Sequence, residues 1–178
     1  MTTNNITNLS DAKVYVGTYR KYNEGSIFGK WLDLSDYSDK DEFLQACAEL
    51  HADETDPEFM FQDFENIPDC FISESYISEN LFELISRIDE IDNIEAFETY
   101  LNWKGCDIEN DDFDALKSDF EDAFCGEYDS EEAYAEQLVD DCYNLEGIAA
   151  TYFDYDRFAR DLFMTDNYYD NGFVFYNR

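Results

Sequence analysis

"DIENDDFDALKSDFEDAFCGEYDSEE", Asp107–Glu132, holds twelve acids among 26 residues and a single base, Lys117. A run of that charge density reads first as a disordered tail, because such segments rarely bury enough apolar surface to offset chain entropy. Phe113, Leu116, Phe120, Ala123 and Phe124 argue against it. They recur at three- and four-residue steps, which puts them on one face of an α-helix. Asp111, Asp114, Glu121 and Asp122 project from the opposite arc, and Gly126 is the expected stop. The carboxylates therefore sit on a folded element, and the fold fixes their spacing.

Working outward, the same pairing of acids with aromatics holds over the whole chain. Of 178 residues, 44% are hydrophobic and 18% aromatic, with 16 Phe and 14 Tyr. Acidic disordered chains are poor in aromatics, so this chain folds. Its 44 acids against 11 bases give a net charge of −33. That charge opposes compaction by self-repulsion, repels nucleic acid and anionic lipid, and attracts basic surfaces. The bias is local. Residues 1–40 hold five acids and five bases, residues 41–156 hold 36 and three, and residues 157–178 hold three and three.

Three segments are expected. In the first, 1–68, "AKVYVGTY" (Ala12–Tyr19) reads as a strand. "NEGSIFGKWLDL" (Asn23–Leu34) turns at Asn23–Gly25 and continues as a second strand. "SDKDEFLQACAELH" (Ser38–His51) is a helix capped by Ser38 or Asp39, with Phe43, Cys47 and Leu50 on one face, and "EFMFQDFEN" (Glu58–Asn66) is a further strand. The second segment, 69–105, is helical. Its helices are "SENLFELISRIDEI" (Ser78–Ile91), capped by Ser78 with a stripe of Leu81, Leu84, Ile85 and Ile88, and "NIEAFETYLNW" (Asn93–Trp103), ended by Gly105. The third, 106–178, adds a helix from Asp129 or Ser130 to about Leu145, ended by Gly147. It continues with a strand near "IAATYF" (Ile148–Phe153), a helix near "YDRFARDLF" (Tyr155–Phe163), a turn at Asn171–Gly172 and a final strand. The fold class is α+β, as an elongated chain of three small lobes in series: mixed α/β, helical, mixed α/β.

Catalytic and ligand motifs fail one by one. "YNEGSIFGKW" has three residues between Gly25 and Gly29, and Trp31 after Lys30, where a phosphate loop needs four and then Ser or Thr. An EF-hand begun at Asp107 would need Gly and Glu where Asp112 and Ser118 stand. His51 is the only histidine, so multi-histidine zinc sites cannot be assembled, and at a helix end it meets the C-terminal dipole. With 44 acids, carboxylate pairs at hydrolase spacing arise by chance. No catalytic residue, metal or cofactor is expected. Cys47, Cys70, Cys106, Cys125 and Cys142 are odd in number, widely spaced and without a C-x-x-C, which fits reduced thiols in a cytoplasm. The polar N-terminus and the lack of a long apolar run point the same way.

A solvated acidic face that serves solubility would spread its excess to both ends, and this chain does not. B-DNA carries one charge per ~1.7 Å of axis, so 33 charges match about 56 Å of duplex. Scattered over the ~9,000 Å² of a compact protein of this mass, they are more than twice as dilute as phosphates on a duplex. Imitation of DNA therefore requires an elongated body or acids gathered along one track.

The chain resembles the ArdA antirestriction family. The likeness rests on "YVGTYRKYNEGSIFGKWLDL" (Tyr15–Leu34), "ACAELHADETDPEFMFQDFENIP" (Ala46–Pro68), "FEDAFCGEYDSEEAYAEQLVDD" (Phe120–Asp141) and "YFDYDRFARDLF" (Tyr152–Phe163). Ile72–Asp119 matches only in helical character and acidity, and the extreme N-terminus has no counterpart. The resemblance implies a three-lobed homodimer carried on mobile elements. It would mimic bent DNA in the groove of type I restriction-modification enzymes, on their methyltransferase and specificity subunits, without enzymatic activity. Lys and Arg that normally meet phosphates would meet carboxylates instead, independent of DNA sequence. What carries over is segments rather than a catalytic set: Asp53, Glu54, Asp56 and Glu58; Asp111, Asp112, Asp114, Asp119, Glu121 and Asp122; Glu127, Asp129, Glu131, Glu132, Glu136, Asp140 and Asp141. The alternative is an acidic chaperone, adaptor or regulator that binds a basic protein partner and needs no fixed charge spacing.

Overall fold

Tyr15 stands opposite Trp31 in the first sheet, their rings edge-on at 5.5 Å, and this pairing sets the register of the N-terminal region. The structure, a computed structural model, describes residues 8–106, 112–143 and 145–177. Strand β1 (Lys13–Thr18) buries Val14 and Val16 completely, the alternation expected of a strand with one face on a core. Thr18 then caps the short helix α1 (Tyr19–Asn23), its hydroxyl accepting from the Lys21 amide. The chain returns as β2 (Lys30–Asp33), antiparallel to β1. Gly29 lies hard against β1 on the way. A Cβ there would sit 2.5 Å from the Val16 carbonyl oxygen, so no other residue lets the loop close.

Helix α2 (Lys40–Leu50) is capped by Asp39, which accepts from the Glu42 amide, while Glu42 reaches back to the Ser38 amide and hydroxyl, all at 2.8 Å. This resembles a capping box, with the return bond taken by the residue before the cap instead of the cap itself. Phe43 and Cys47 are buried as expected, and Leu50 is half-buried. Strand β3 (Phe59–Glu65) pairs with the other edge of β1, giving the sheet order β2-β1-β3. Phe43, wholly buried, packs against Tyr37, Phe61 and Phe82 at ring distances of 5.5, 5.9 and 5.7 Å. Two very short strands follow, β4 (Ile72–Ser73) and β5 (Tyr76–Ile77). They are absent from the sequence expectation because two residues per strand leave no readable alternation. Helix α3 (Glu79–Arg87), capped by Ser78, runs into a 3-10 turn at Ile88–Glu90, with Phe82 in the core and Ile85 half-buried. Helix α4 (Ile94–Lys104) is capped by Asn93 and ends at Gly105.

The chain forms two compact units, Met1–Lys117 and Ser118–Arg178. The boundary falls inside helix α5 (Phe113–Ala123), the amphipathic helix of the opening stretch, which buries Phe113, Leu116, Phe120 and Ala123. In the second unit, β6 (Phe124–Glu127) follows directly. Gly126 therefore lies within a strand and does not stop the helix from outside. Phe124 turns from the helix into a sheet, stacking on Phe120 at 5.2 Å and facing Phe175 at 5.8 Å, with an irregular register between Phe124 and Gly126. Helix α6 (Glu131–Cys142) is capped by Ser130 and ends before the expected Leu145. The expected strand at Ile148–Phe153 is instead a short helix, α7 (Ile148–Tyr152). β-propensity reflects fit to a pleated, half-buried surface. This segment finds none: Ile148 is 79% exposed and Tyr152 81%. Helix α8 (Tyr155–Thr165) packs on α6. Strands β7 (Asn167–Asp170) and β8 (Phe173–Tyr176) then form a hairpin through Asn171 and Gly172, at φ 52° and 89°, and complete the order β6-β8-β7. Strand β7, unread in the sequence, is the partner that turn demanded.

The architecture is α+β. Cys70 and Cys106 are joined as a disulfide, Cα atoms 5.8 Å apart, which corrects the expectation of five reduced thiols. A single long-range pair leaves no spacing signature in the sequence. Cys47, Cys125 and Cys142 take no part in a disulfide.

Candidate partner-binding surface

The acids singled out from the sequence fall in three places, and their intrachain cations differ sharply. Asp111 lies outside the described residues. All the others are exposed except Glu54, which is half-buried.

Asp53, Glu54, Asp56 and Glu58 occupy the connection from α2 to β3, just past His51, the C-cap of α2. Here the structure builds a closed centre. Lys21 Nζ lies 2.8 Å from Asp53 Oδ1, 3.3 Å from Glu54 Oε1 and 3.0 Å from His51 Nδ1. The Thr18 hydroxyl donates to Glu54 at 2.7 Å, and His51 Nε2 lies 3.3 Å from the Val16 carbonyl oxygen, the arrangement in which Nε2–H donates and Nδ1 is a bare acceptor. Hydrogen bonding to Lys21 lowers the Asp53 carboxyl below the usual range, and the Thr18 hydroxyl followed by Lys21 does the same for Glu54. Burial pushes the His51 imidazole down, with Lys21 adding to that. The ligating atoms of His51, Asp53 and Glu54 lie within 4.8 Å of one another, a spacing a metal ion could use. The Lys21 ammonium already contacts all three. Asp53 and Glu54 are thus committed inside the chain, whereas Asp56 and Glu58 remain on the surface.

Asp112 and Asp114 open α5. Asp112 caps it, accepting from the Ala115 amide at 2.9 Å. Asp114 accepts from Arg87 at 2.9 Å, and Arg87 also binds Glu83 and Glu90 at 2.8 Å and lies 4.1 Å from the centre of the Phe113 ring. Glu90 first, then Asp114 and Glu83, hold the guanidinium pKa above its ordinary value. One cation therefore balances part of three acids and ties α3, its 3-10 extension and α5 together.

In the second unit, Asp119, Glu121 and Asp122 lie on α5, Glu127 ends β6, and Asp129 precedes the cap of α6. Helix α6 buries Tyr134, Ala135 and Val139, which leaves Glu131, Glu132, Glu136, Asp140 and Asp141 on the exposed arc. Lys13, Arg20, Lys21 and Arg87 form ion pairs with acids of the first unit. Asp141 accepts from the neutral Gln137 at 3.0 Å. The sequence reading missed Asp156, in the first turn of α8. Its charge and hydrogen bond raise the Glu132 carboxyl pKa, because the α6–α8 packing brings the two acids together. Nothing in the local sequence signals that meeting.

The arrangement offers no nucleophile–base pair around His51, whose ring is buried and held at both nitrogens. It can present negative charge to a basic surface. No helix among the described residues is long and apolar enough to cross a membrane. A search of curated proteins finds no match to the chain. The model of the antirestriction protein (ArdA) family, however, matches residues 14–175, and the chain belongs to that family.

Proposed function

We propose that this protein blocks type I restriction-modification enzymes by placing its exposed carboxylates in their DNA-binding groove, on the methyltransferase and specificity subunits. Family membership supports the antirestriction role. The observation that carries the mimic reading is the fate of the bases. Lys13, Arg20, Lys21 and Arg87 are paired with acids of the first unit, while the α6 arc turns Glu131, Glu132, Glu136, Asp140 and Asp141 outward. Those acids stand on a helix anchored by buried Tyr134, Ala135 and Val139, so the groove meets charges on a fixed frame. Basic groups that recognise phosphate by charge and hydrogen bonding accept carboxylate by the same means. In this reading the protein performs no catalysis, needs no cofactor, acts inside the cell and works as a homodimer. Tyr143, Ile148, Tyr152 and Met164, exposed at 54%, 79%, 81% and 74%, favour self-association of the second unit.

The test is competition. The protein is titrated into a purified type I enzyme with labelled duplex DNA, and separately with isolated basic peptides. Displacement of the duplex, with no binding of the protein to DNA itself, is the expected result. Capture of the peptides without displacement would instead favour an acidic chaperone or adaptor.

A further inference from the structure

We propose that the Cys70–Cys106 disulfide is a redox clasp: oxidised, it locks the end of α4 to the turn that enters β4, and a dithiol reductant opens it. The strand pair it leads into is the shortest in its unit. Strands β4 and β5 pair through Ile72–Ile77 and Ser73–Tyr76 alone, and isolated short hairpins are marginal in water. Cys106 directly follows Gly105, whose amide closes α4 onto the Leu101 carbonyl at 3.0 Å. The cross-link spans a sequence separation of 36 residues, which takes in β4, β5, α3 and α4. Both cysteines are half-buried, while their neighbours Ile67, Phe71 and Leu101 are buried at 0%, 0% and 2%. Partial exposure of both cysteines leaves the bond within reach of a reductant, while the residues buried nearby can stay packed when it opens.

In the exchange, a reductant thiolate attacks one cysteine sulfur. The S–S bond breaks, a mixed disulfide forms, and the other cysteine leaves as a thiolate that takes a proton. The reductant's second thiol then closes on its own sulfur and releases the first cysteine. Net, the protein disulfide is reduced to two thiols and the dithiol is oxidised to a disulfide. Cys47 does not compete, since burial raises its thiol to about 12. Asp69 beside Cys70, and the net charge of −33, disfavour approach of anionic glutathione relative to neutral dithiothreitol.

The test uses the full chain purified in air. Alkylation under denaturing conditions is expected to label the three cysteines outside the disulfide before reduction and all five after it, Cys70 and Cys106 being the two gained. Hydrogen exchange read by mass spectrometry is expected to speed up at least tenfold on reduction in peptides covering 72–77 and 98–105, and to stay constant in 40–50. The C70S/C106S double variant should exchange like reduced wild type and ignore dithiothreitol. Five labelled cysteines without reductant, or unchanged exchange after confirmed reduction, overturns the clasp. If the double variant does not fold, the oxidised and reduced wild-type forms decide the matter by themselves.

Discussion

Replacing Glu131 and Glu136 by Gln and Asp140 and Asp141 by Asn removes four exposed charges from α6 and leaves its buried face, Tyr134, Ala135 and Val139, intact. Glu132 is left out because it faces Asp156, whose charge and hydrogen bond raise its pKa, so its neutralisation would perturb a second acid as well. An exposed ionic contact contributes about 0.2–1 kcal/mol. That is about 1.4- to 5-fold in affinity per contact, or about 4- to 800-fold for four independent ones. The control, one substitution smaller, is D53N/E54Q/D114N. Those acids already contact Lys21 and Arg87, so they are less available to a partner's bases, although each removes the same unit of charge. The assay is the half-inhibitory concentration against a purified type I enzyme cleaving unmodified DNA, with circular dichroism as a check on folding. The α6 set should fold as well as wild type, since it relieves like-charge repulsion. Inhibition should weaken within the range above and by more than in the control set. Full inhibition by the α6 variant would remove this helix from the interface. An equal or larger loss in the control would refute the idea that unbalanced acids govern binding.

Phe43→Ala empties the centre of the ring cluster formed with Tyr37, Phe61 and Phe82, and is expected to destabilise the first unit by about 3–5 kcal/mol in denaturant unfolding. Two buried groups should tilt the pH dependence of stability in opposite senses. The His51 pKa is lowered by burial, so its contribution is full above the unfolded imidazole pKa of about 6.5 and is lost as pH falls from there through the folded value; His51→Gln should flatten that slope in thermal melts between pH 7.5 and 5. Burial raises the Glu98 carboxyl pKa, against the Leu9 amide that donates to it at 2.6 Å. Its contribution is present below the unfolded carboxyl pKa and is lost as pH rises through the folded value, and Glu98→Gln should abolish that loss. Moderate salt should raise the melting temperature by screening the net charge of −33; an unchanged melt between low and moderate salt would count against self-repulsion as a main destabilising force.

Elements with a long apolar period and a local stop or cap were legible in the sequence. Helices α2, α3 and α4 are capped by Asp39, Ser78 and Asn93, and α4 ends at Gly105. The misreadings share a cause. Phe124 continues the helical period of α5, yet it starts β6 because Phe175 of β8 covers it from across the sheet. Ile148–Tyr152 has strand composition but is left exposed at Ile148 and Tyr152. Cys70 and Cys106 meet only because α4 returns the chain to the turn before β4. Each outcome depends on a neighbour distant in sequence, which periodicity does not see. The acids show the same division. Their exposure was readable from the helical arcs, whereas the capture of Asp53, Glu54 and Asp114 by cations and the meeting of Glu132 with Asp156 are tertiary facts.

Three of the scarce bases each have a joining task. Lys13 binds Glu65 across β1 and β3 and lies over the Trp31 ring, Lys21 ties α1 to the connection after α2, and Arg87 gathers α3 and α5. A long cationic side chain can bury its stem and satisfy several carboxylates at once, so a few of them stabilise junctions where acids would otherwise repel. The consequence is an asymmetry between the two signs of charge. Removing an acid from the α6 arc relieves repulsion and leaves the fold alone, whereas removing Lys21 leaves half-buried Glu54 and buried His51 without their shared donor. The exposed acids of α6 are free to vary with what the surface must meet, and Lys13, Lys21 and Arg87 are held in place by the fold. Aromatic packing supplies the rest: from Phe43 in the first unit to Phe120, Phe124 and Phe175 in the second, the rings anchor one side of each element while the carboxylates crowd the other.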